Sequence, residues 1–356
     1  MKKIILSMFV AASVSVSAAE SLTKQLPTAV HGRVVETQQE NGDKAWQYSW
    51  PSIYFEAAFK GESAVLKFDD DQNYFRLIVD NGEPILINKP GKVDYPVKNL
   101  KKGSHQLRLE KLTETQFSTG RFNGFYTAAN AQAESVPTRT KKIEFIGDSY
   151  TVGYGNISKT RDCTTDDVFA ATQSQLAFGP LTAKALNADY QINASSGFGI
   201  VRNYNGIRPE NSLIKLYNYT LNDTSVEYKG DWDPQVIVIG LGTNDFSTPL
   251  NAGERWKTRA DLQADYVANY VAFVQKLAGQ HQGAQFILMA SDQLNGEIAQ
   301  QVEKVASQVK ASNVKVDTII FKGLDYAGCH WHPSTADDKL ISDLLLNYFK
   351  AHPGVI

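Results

Sequence analysis

The spacing of apolar residues changes character near residue 140, and no single layer of secondary structure accommodates both patterns. From about residue 28 to 128, short runs rich in β-branched and aromatic residues recur: Ser52–Phe59, Ser63–Phe68, Phe75–Val79, Pro84–Ile87 and Ser104–Lys111. Turn clusters such as Lys60-Gly61-Glu62, Asp80-Asn81-Gly82 and Lys101-Lys102-Gly103 separate them, and Asn81-Gly82 between apolar runs is a hairpin signal. Many short strands at regular spacing predict an all-β sandwich or jelly roll. After residue 142, strand-like runs (Lys142–Ile146, Asp189–Ala194, Val236–Leu241, Gln285–Ala290 and Val314–Phe321) alternate with helical stretches. Within Leu262–Leu277 the apolar residues fall on one helical face. That alternation predicts an α/β domain, with a mostly parallel sheet covered by helices on both faces. The expected division is a β-domain over 20–130, a linker over 131–141 and an α/β domain over 142–356.

The N-terminus reads as an export leader over residues 1–19. Lys2-Lys3 is its positive segment, Ile4–Ala12 its apolar segment, and Val16-Ser17-Ala18 or Ser17-Ala18-Ala19 its cleavage site. The apolar segment is too short to span a bilayer, so a secreted or periplasmic protein is expected, with no membrane partner. Cleavage moves the formal charge from −2 to about −4, because two lysines leave; nothing in that balance suggests a nucleic acid partner. The two cysteines, Cys163 and Cys329, form an even pair in an oxidising compartment, which invites a disulfide. Two free buried thiols are the alternative.

Gly147-Asp148-Ser149 ends the first strand-like run of the α/β domain, at the sheet edge where open α/β folds place their ligands. Alone, the triplet is also what a helix cap looks like. Its chemical meaning comes from three later elements of the chain, in order: Ser196-Gly197, then Gly242-Thr243-Asn244-Asp245, then His332 within His330-Trp331-His332-Pro333-Ser334. A serine hydroxyl needs a base to take its proton, and histidine titrates in the right range. Of the six histidines, only His330 and His332 follow a strand of this domain. A glycine N–H at close range and an asparagine amide are suitable donors to a tetrahedral oxyanion, roles that fit Gly197 and Asn244. Ser334, with Asp337 three residues on, reads as the cap of a last helix whose buried face runs over Leu340–Phe349.

The G-x-S-x-G elbow of the common α/β-hydrolases is absent. The set present instead resembles the SGNH (GDSL) hydrolases. Gly147-Asp148-Ser149 looks like their first block, Asn193–Gly197 their second, Gly242–Asp245 their third and His332-Pro333 their fifth. The resemblance implies a three-layer α/β/α domain, with Ser149 as nucleophile and His332 as base. The Ser149 N–H, the Gly197 N–H and the Asn244 side chain would form the oxyanion hole. A β-domain before such a hydrolase is similar to carbohydrate esterase family two. Tyr150–Asn156, Arg161-Asp162-Cys163, Ala177–Leu181, Val201–Gly206 and Trp331 share in that likeness. It implies a monomeric esterase without metal or cofactor that removes acetyl groups from plant-wall polysaccharides, with Trp331 and Asp148 on the substrate side.

One position departs from the superfamily pattern. The acid expected three residues before the histidine is Cys329, which cannot replace a carboxylate. Family two contains members in which a backbone carbonyl orients the histidine, and a carbonyl near His330–Trp331 is the expected orienting group here. Asp325 is the alternative acid; on the carbonyl reading, changes at Asp325, Asp337 and Asp338 should be mild. Three other readings compete. One is a zinc site built from Cys163, Cys329, His330 and His332. Another is a non-catalytic carbohydrate-binding protein using Trp331, Trp256 and Trp232. The last is an esterase for another acetylated glycan, such as peptidoglycan.

Overall fold

The computed structural model describes residues 23–116, 118–230 and 232–356; the expected leader lies outside them. The β-domain is built from two facing antiparallel sheets. The first runs Val35–Gln38, Lys44–Tyr48, Gly120–Thr127, Ala64–Asp70, Gly91–Val97, with Lys24–Gln25 added beside Gly120–Thr127. The second runs Gln132–Glu134, Tyr54–Gly61, Gly103–Lys111, Tyr74–Val79, Ile85–Asn88, with Ala29–His31 beside Tyr54–Gly61. Trp46, Phe55, Phe68, Phe75 and Phe122 fill the space between them, with ring centroids 4.8–6.3 Å apart, distances at which tilted aromatic pairs attract.

Several of these strands do not read as strands in the sequence. Gly120–Thr127 contains Asn123-Gly124 and a bulge between Phe122 and Gly124. Gly91–Val97 lies at a sheet edge, where Asp94 and Pro96 are tolerated because one side of its ladder is unpaired. Lys44–Tyr48 is short and begins at a turn. The expected linker is also corrected: Gln132–Glu134 pairs with Ala58–Lys60, and Ala133 packs against the core. The hairpin signal at Asn81-Gly82 marks a real turn, shifted by one residue. Gly82 N–H reaches the Val79 carbonyl at 2.8 Å, and Asp80 and Asn81 take the positive φ angles.

The α/β domain has five parallel strands in the order Asp189–Ala194, Lys142–Gly147, Val236–Gly240, Gln285–Ser291, Val316–Phe321. Alternate residues serve opposite faces. Ile237, Ile239, Phe286 and Leu288 pack with Arg259–Gln280 and Glu297–Ala311 on one side. Phe145, Val238, Ile287 and Met289 pack with Phe178–Ala185 and Thr335–Ala351 on the other. The result is a three-layer α/β/α sandwich. Chain order reverses between Lys142–Gly147 and Val236–Gly240, and that reversal opens a crevice beyond their carboxyl ends.

The two units join through a buried polar seam. Tyr54 hydroxyl donates to Asp189 at 2.9 Å, and Arg108 lies 3.8 Å over the Tyr54 ring while reaching the Tyr190 hydroxyl. Arg139 grips both oxygens of Glu56 at 2.7 and 2.8 Å, with Arg108 and His31 on the same carboxylate. Burial alone would raise the Glu56 carboxyl, but Arg139, His31 and Arg108 together hold it well below the usual range. Such a cluster is costly to break from one side, because the remaining charges stay buried. Glu56→Gln should lower the unfolding free energy by about 3–5 kcal/mol, read from urea midpoints at pH 7. A depressed carboxylate contributes stability above its ordinary titration range and loses it as pH falls, so the gap between wild type and variant should shrink in acid.

Candidate active site

Ser149 begins a one-turn helix, Ser149–Val152, directly after the Lys142–Gly147 strand. Asp148 caps that helix by accepting the Tyr150 N–H at 3.1 Å. Gly147 must lack a side chain, since a Cβ there would stand 1.9 Å from the Thr151 hydroxyl. His332 comes from the loop before the last helix, whose cap is the reciprocal Ser334/Asp337 pair. These two loops bring His332 Nε2 to 2.8 Å from Ser149 Oγ.

The other imidazole nitrogen, Nδ1, faces the Cys329 carbonyl at 2.9 Å and the His330 carbonyl at 3.3 Å. Carbonyls only accept, so Nδ1 carries the proton and Nε2 presents its lone pair to Ser149. The nearer carbonyl is that of Cys329, next to the expected His330–Trp331 stretch, and the His330 carbonyl lies within that stretch. Asp325 is not aimed at the imidazole: its carboxylate accepts from the Ala327 N–H and the Ser334 hydroxyl. Asp337 is engaged with the N–H groups of Ser334, Asp325 and Tyr326. Asp338, fully buried, holds the Asn156 amide and the Phe178 N–H at 2.9 and 3.0 Å, so its duty is to the scaffold.

Rings close around the imidazole. Tyr154 lies 4.2 Å from it, centroid to centroid, and Tyr150 meets it edge-on at 5.7 Å. Burial pushes His332 down to about 4, against the opposing pull of the two carbonyls. The imidazole is therefore neutral, and able to accept a proton, throughout the neutral range.

The loop carrying His332 is pinned from several sides. His330 and Trp331 both hold positive φ angles, 51° and 62°. Cys329 forms a disulfide with Cys163 across 166 residues, which engages both sulfurs of the conceivable zinc cluster. His330 Nε2 donates to the Cys163 carbonyl at 2.8 Å, while its Nδ1 accepts from the Tyr154 hydroxyl at 3.0 Å. Arg161 lies 3.9 Å over the Trp331 ring and binds the carbonyls of Asp325 and Tyr326.

Gly197 and Asn244 follow the two strands flanking Lys142–Gly147. Gly197 has φ +85° and open space within 4 Å of where a Cβ would stand. Asn244 Nδ2 donates to the Phe198 carbonyl at 2.9 Å, with Asp148 Oδ2 at 3.3 Å. Asp245 accepts three consecutive N–H groups, from Ile200, Val201 and Arg202, at 2.9–3.0 Å, and so fixes the loop beyond Gly197. Ser149, His332, Gly197 and Asn244 share one cleft of about 540 Å³.

Two expectations about ligand contact change. Asp148 is 1% exposed; its carboxylate caps the serine helix and cannot meet a substrate, and burial raises it to about 7. Of the tryptophans, only Trp331 stands near the cleft, 64% exposed. Trp232 lies by Lys142, at the far end of the sheet from Ser149, and Trp256 donates to Asp265 of the long helix. The sequence reading missed Glu114 and Gln116, which line the cleft from the β-domain. Their one visible signal is a connection, residues 112–119, longer than the neighbouring turns.

Fold and Ser–His geometry together define a GDSL-type hydrolase carrying an N-terminal β-domain. Residues 143–345 match the GDSL-like lipase/acylhydrolase family, and residues 30–137 match the carbohydrate esterase 2 N-terminal family. The chain belongs to carbohydrate esterase family 2 and is a carboxylic ester hydrolase. A protein of Cellvibrio japonicus described as an acetylxylan esterase / glucomannan deacetylase is 61% identical over 345 residues, 96% of each chain. A solved carbohydrate esterase superposes with TM-score 0.90 at 60% identity, covering 93% of this chain and 99% of that one. A family two carbohydrate esterase from Clostridium thermocellum, solved with cellohexaose, superposes with TM-score 0.78 at 28% identity, covering 93% and 100%.

The packing of the disulfide gives a direct test. A Cβ on Gly155 would stand 2.4 Å from Cys329 Cβ and 2.8 Å from its sulfur, at φ +57°. Gly155→Ala should therefore lower stability by about 2–4 kcal/mol through combined strain and overpacking, measured by thermal unfolding of the oxidised protein.

Proposed function

We propose that this protein is an exported deacetylase of plant-wall polysaccharides, acting on acetylated xylan or glucomannan through a Ser149–His332 dyad. The observation that carries the reading is the 2.8 Å contact from Ser149 Oγ to an imidazole whose other nitrogen is held by the Cys329 carbonyl. The substrate class rests on the 61% identical relative described as an acetylxylan esterase / glucomannan deacetylase. Export is supported by the leader-like residues 1–19 and by the disulfide. Trp331 and Tyr204, both more than half exposed, are the proposed sugar contacts at the rim.

The geometry supports a two-step acyl transfer. Ser149 Oγ attacks the acetyl carbonyl as its proton passes to His332 Nε2. The oxyanion is met by the N–H groups of Ser149 and Gly197 and by the Asn244 amide. Asn244 has one proton committed to Phe198; the one near Asp148, at the longer 3.3 Å, is the one to offer. Collapse of the intermediate releases the sugar alkoxide, which takes the proton from His332 and leaves acetyl-Ser149. Water, deprotonated by His332, then attacks the acetyl group, and collapse breaks the bond to Ser149 Oγ, which takes the proton back from His332 as acetic acid departs. The Cys329 carbonyl sets the tautomer but brings no full charge to stabilise imidazolium. The face of Tyr154, 4.2 Å away, offers part of that stabilisation.

Ser149→Ala should abolish release of acetate from acetylated xylan and of nitrophenol from p-nitrophenyl acetate, with circular dichroism unchanged. Asn244→Ala should reduce kcat by about two to three orders of magnitude with little change in KM. An effect on KM alone would make Asn244 a substrate-positioning residue and not an oxyanion donor.

A dyad also makes a statement about acids. Loss of a true triad acid costs about four orders of magnitude in kcat, whereas Asp325→Asn should stay within about threefold of wild type. Since His332 accepts a proton only as pH falls toward about 4, the acid limb of kcat/KM should lie well below the usual histidine range. It should stay there in the Asp325→Asn variant; a loss of about a thousandfold or more in that variant would restore the triad reading.

A further inference from the structure

The turn that carries Gly197 is held by side chains of the β-domain. Phe198 N–H closes onto the Ser195 carbonyl at 3.3 Å, so Ser196 and Gly197 are the central residues of a β-turn. With Gly197 at φ +85°, the turn is of type II. Types I and II differ mainly in the direction of the central peptide, here the unit joining the Ser196 carbonyl to the Gly197 N–H. In a trans peptide those two groups point opposite ways. Whatever holds the Ser196 carbonyl therefore decides where the Gly197 N–H is aimed.

That carbonyl accepts from Gln116 Nε2 at 2.6 Å. The adjoining Ser196 N–H is held by Glu114 Oε1 at 2.8 Å, and the same oxygen steadies the Gln116 amide at 3.1 Å. Both residues belong to the connection between Gly103–Lys111 and Gly120–Thr127, which crosses from one sheet of the β-domain to the other. Side chains alternate along it. Thr113 and Thr115 turn inward and bond Asn73 at 3.1 and 2.8 Å, while Glu114 and Gln116 turn outward onto the Ser196 backbone. The grip is therefore mounted on a fixed base.

We infer that Gln116, supported by Glu114, is a positioning residue for catalysis: it locks the Ser196–Gly197 peptide so that the Gly197 N–H points into the cleft. The inference rests on the proposed role of Gly197 in the oxyanion hole. It also assigns the β-domain a part in the reaction itself, independent of any sugar binding. Without the Gln116 bond, the central peptide is free to turn over. The type I form directs the Ser196 carbonyl toward the cleft, where it would oppose a developing negative charge.

The test uses p-nitrophenyl acetate, which has no sugar to contact Gln116, and two variants of the full chain. Gln116→Ala removes the donor. Gln116→Glu keeps its size and replaces the donor with an acceptor facing a carbonyl, so it serves if the smaller side chain disturbs folding. Both should lower kcat by about ten- to a hundredfold at nearly constant KM. Wild-type kcat in Gln116→Glu, or a rise in KM alone, would overturn the inference. Ser149→Ala run alongside separates the two levels. Retained activity there defeats the dyad reading, whereas a dead Ser149→Ala beside a fully active Gln116→Glu defeats only the role of Gln116.

Discussion

An imidazole can be oriented by a carbonyl as well as by a carboxylate, but the carbonyl must be held still. A carboxylate attracts the ring over several ångströms; a carbonyl acts only within hydrogen-bond reach and only along its own direction. The 2.9 Å contact between His332 Nδ1 and the Cys329 carbonyl therefore depends on the conformation of the three residues between Gly328 and His332. That conformation is unfavourable in isolation, with both His330 and Trp331 at positive φ. The disulfide, the stacking of Arg161 on Trp331 and the two-sided fixing of His330 all restrain that short arch. Cys329 thus has two uses, its sulfur anchoring the loop and its carbonyl steering the His332 imidazole.

The same dependence on fixed backbone runs through the rest of the site. Asp148 caps the serine helix, Asp245 collects three N–H groups behind Gly197, and Asp338 ties the last helix to Asn156 and Phe178. Burial raises all three carboxyls, to about 7, 6 and 8 respectively. Carboxyl groups stand close in sequence to Ser149, Asn244 and His332, but their work here is with peptide N–H groups and an asparagine amide. On the proposed reading, proton transfer is left to one serine and one histidine.

Much of this is legible in the sequence alone. Strand positions in the α/β domain follow from continuous apolar runs, because a doubly covered parallel sheet leaves little room for polar residues. Asp189–Ala194 is read correctly to the residue. The last helix is legible from Ser334 and Asp337, whose reciprocal bonds are a local property of four residues. The β-domain is harder. Gly120–Thr127 and Gly91–Val97 carry glycine, proline and charge, which a bulge and a sheet edge accommodate but which break a pattern of alternating residues. Glu114 and Gln116 are illegible for a different reason. Their partners lie 80 or more residues away on another layer, and no local spacing encodes such a meeting. Asp148 misleads in the opposite direction: adjacency to Ser149 in the chain suggests contact with substrate, but consecutive residues at a helix start point different ways.

The crossing connection of the β-domain also bears on how such proteins can be rearranged. Here the seam is written into the chemistry of both sides, since Gln116 and Glu114 bond the backbone beside Gly197 and Arg139 and Arg108 converge on Glu56. A chimera that swapped the first 130 or so residues for a foreign sandwich would inherit Ser149 and His332 intact, yet would lose the contacts that hold the Ser196 backbone. The unit of inheritance in this architecture is the pair of domains, and recombination between them would have to carry the 112–119 connection across with the hydrolase it serves.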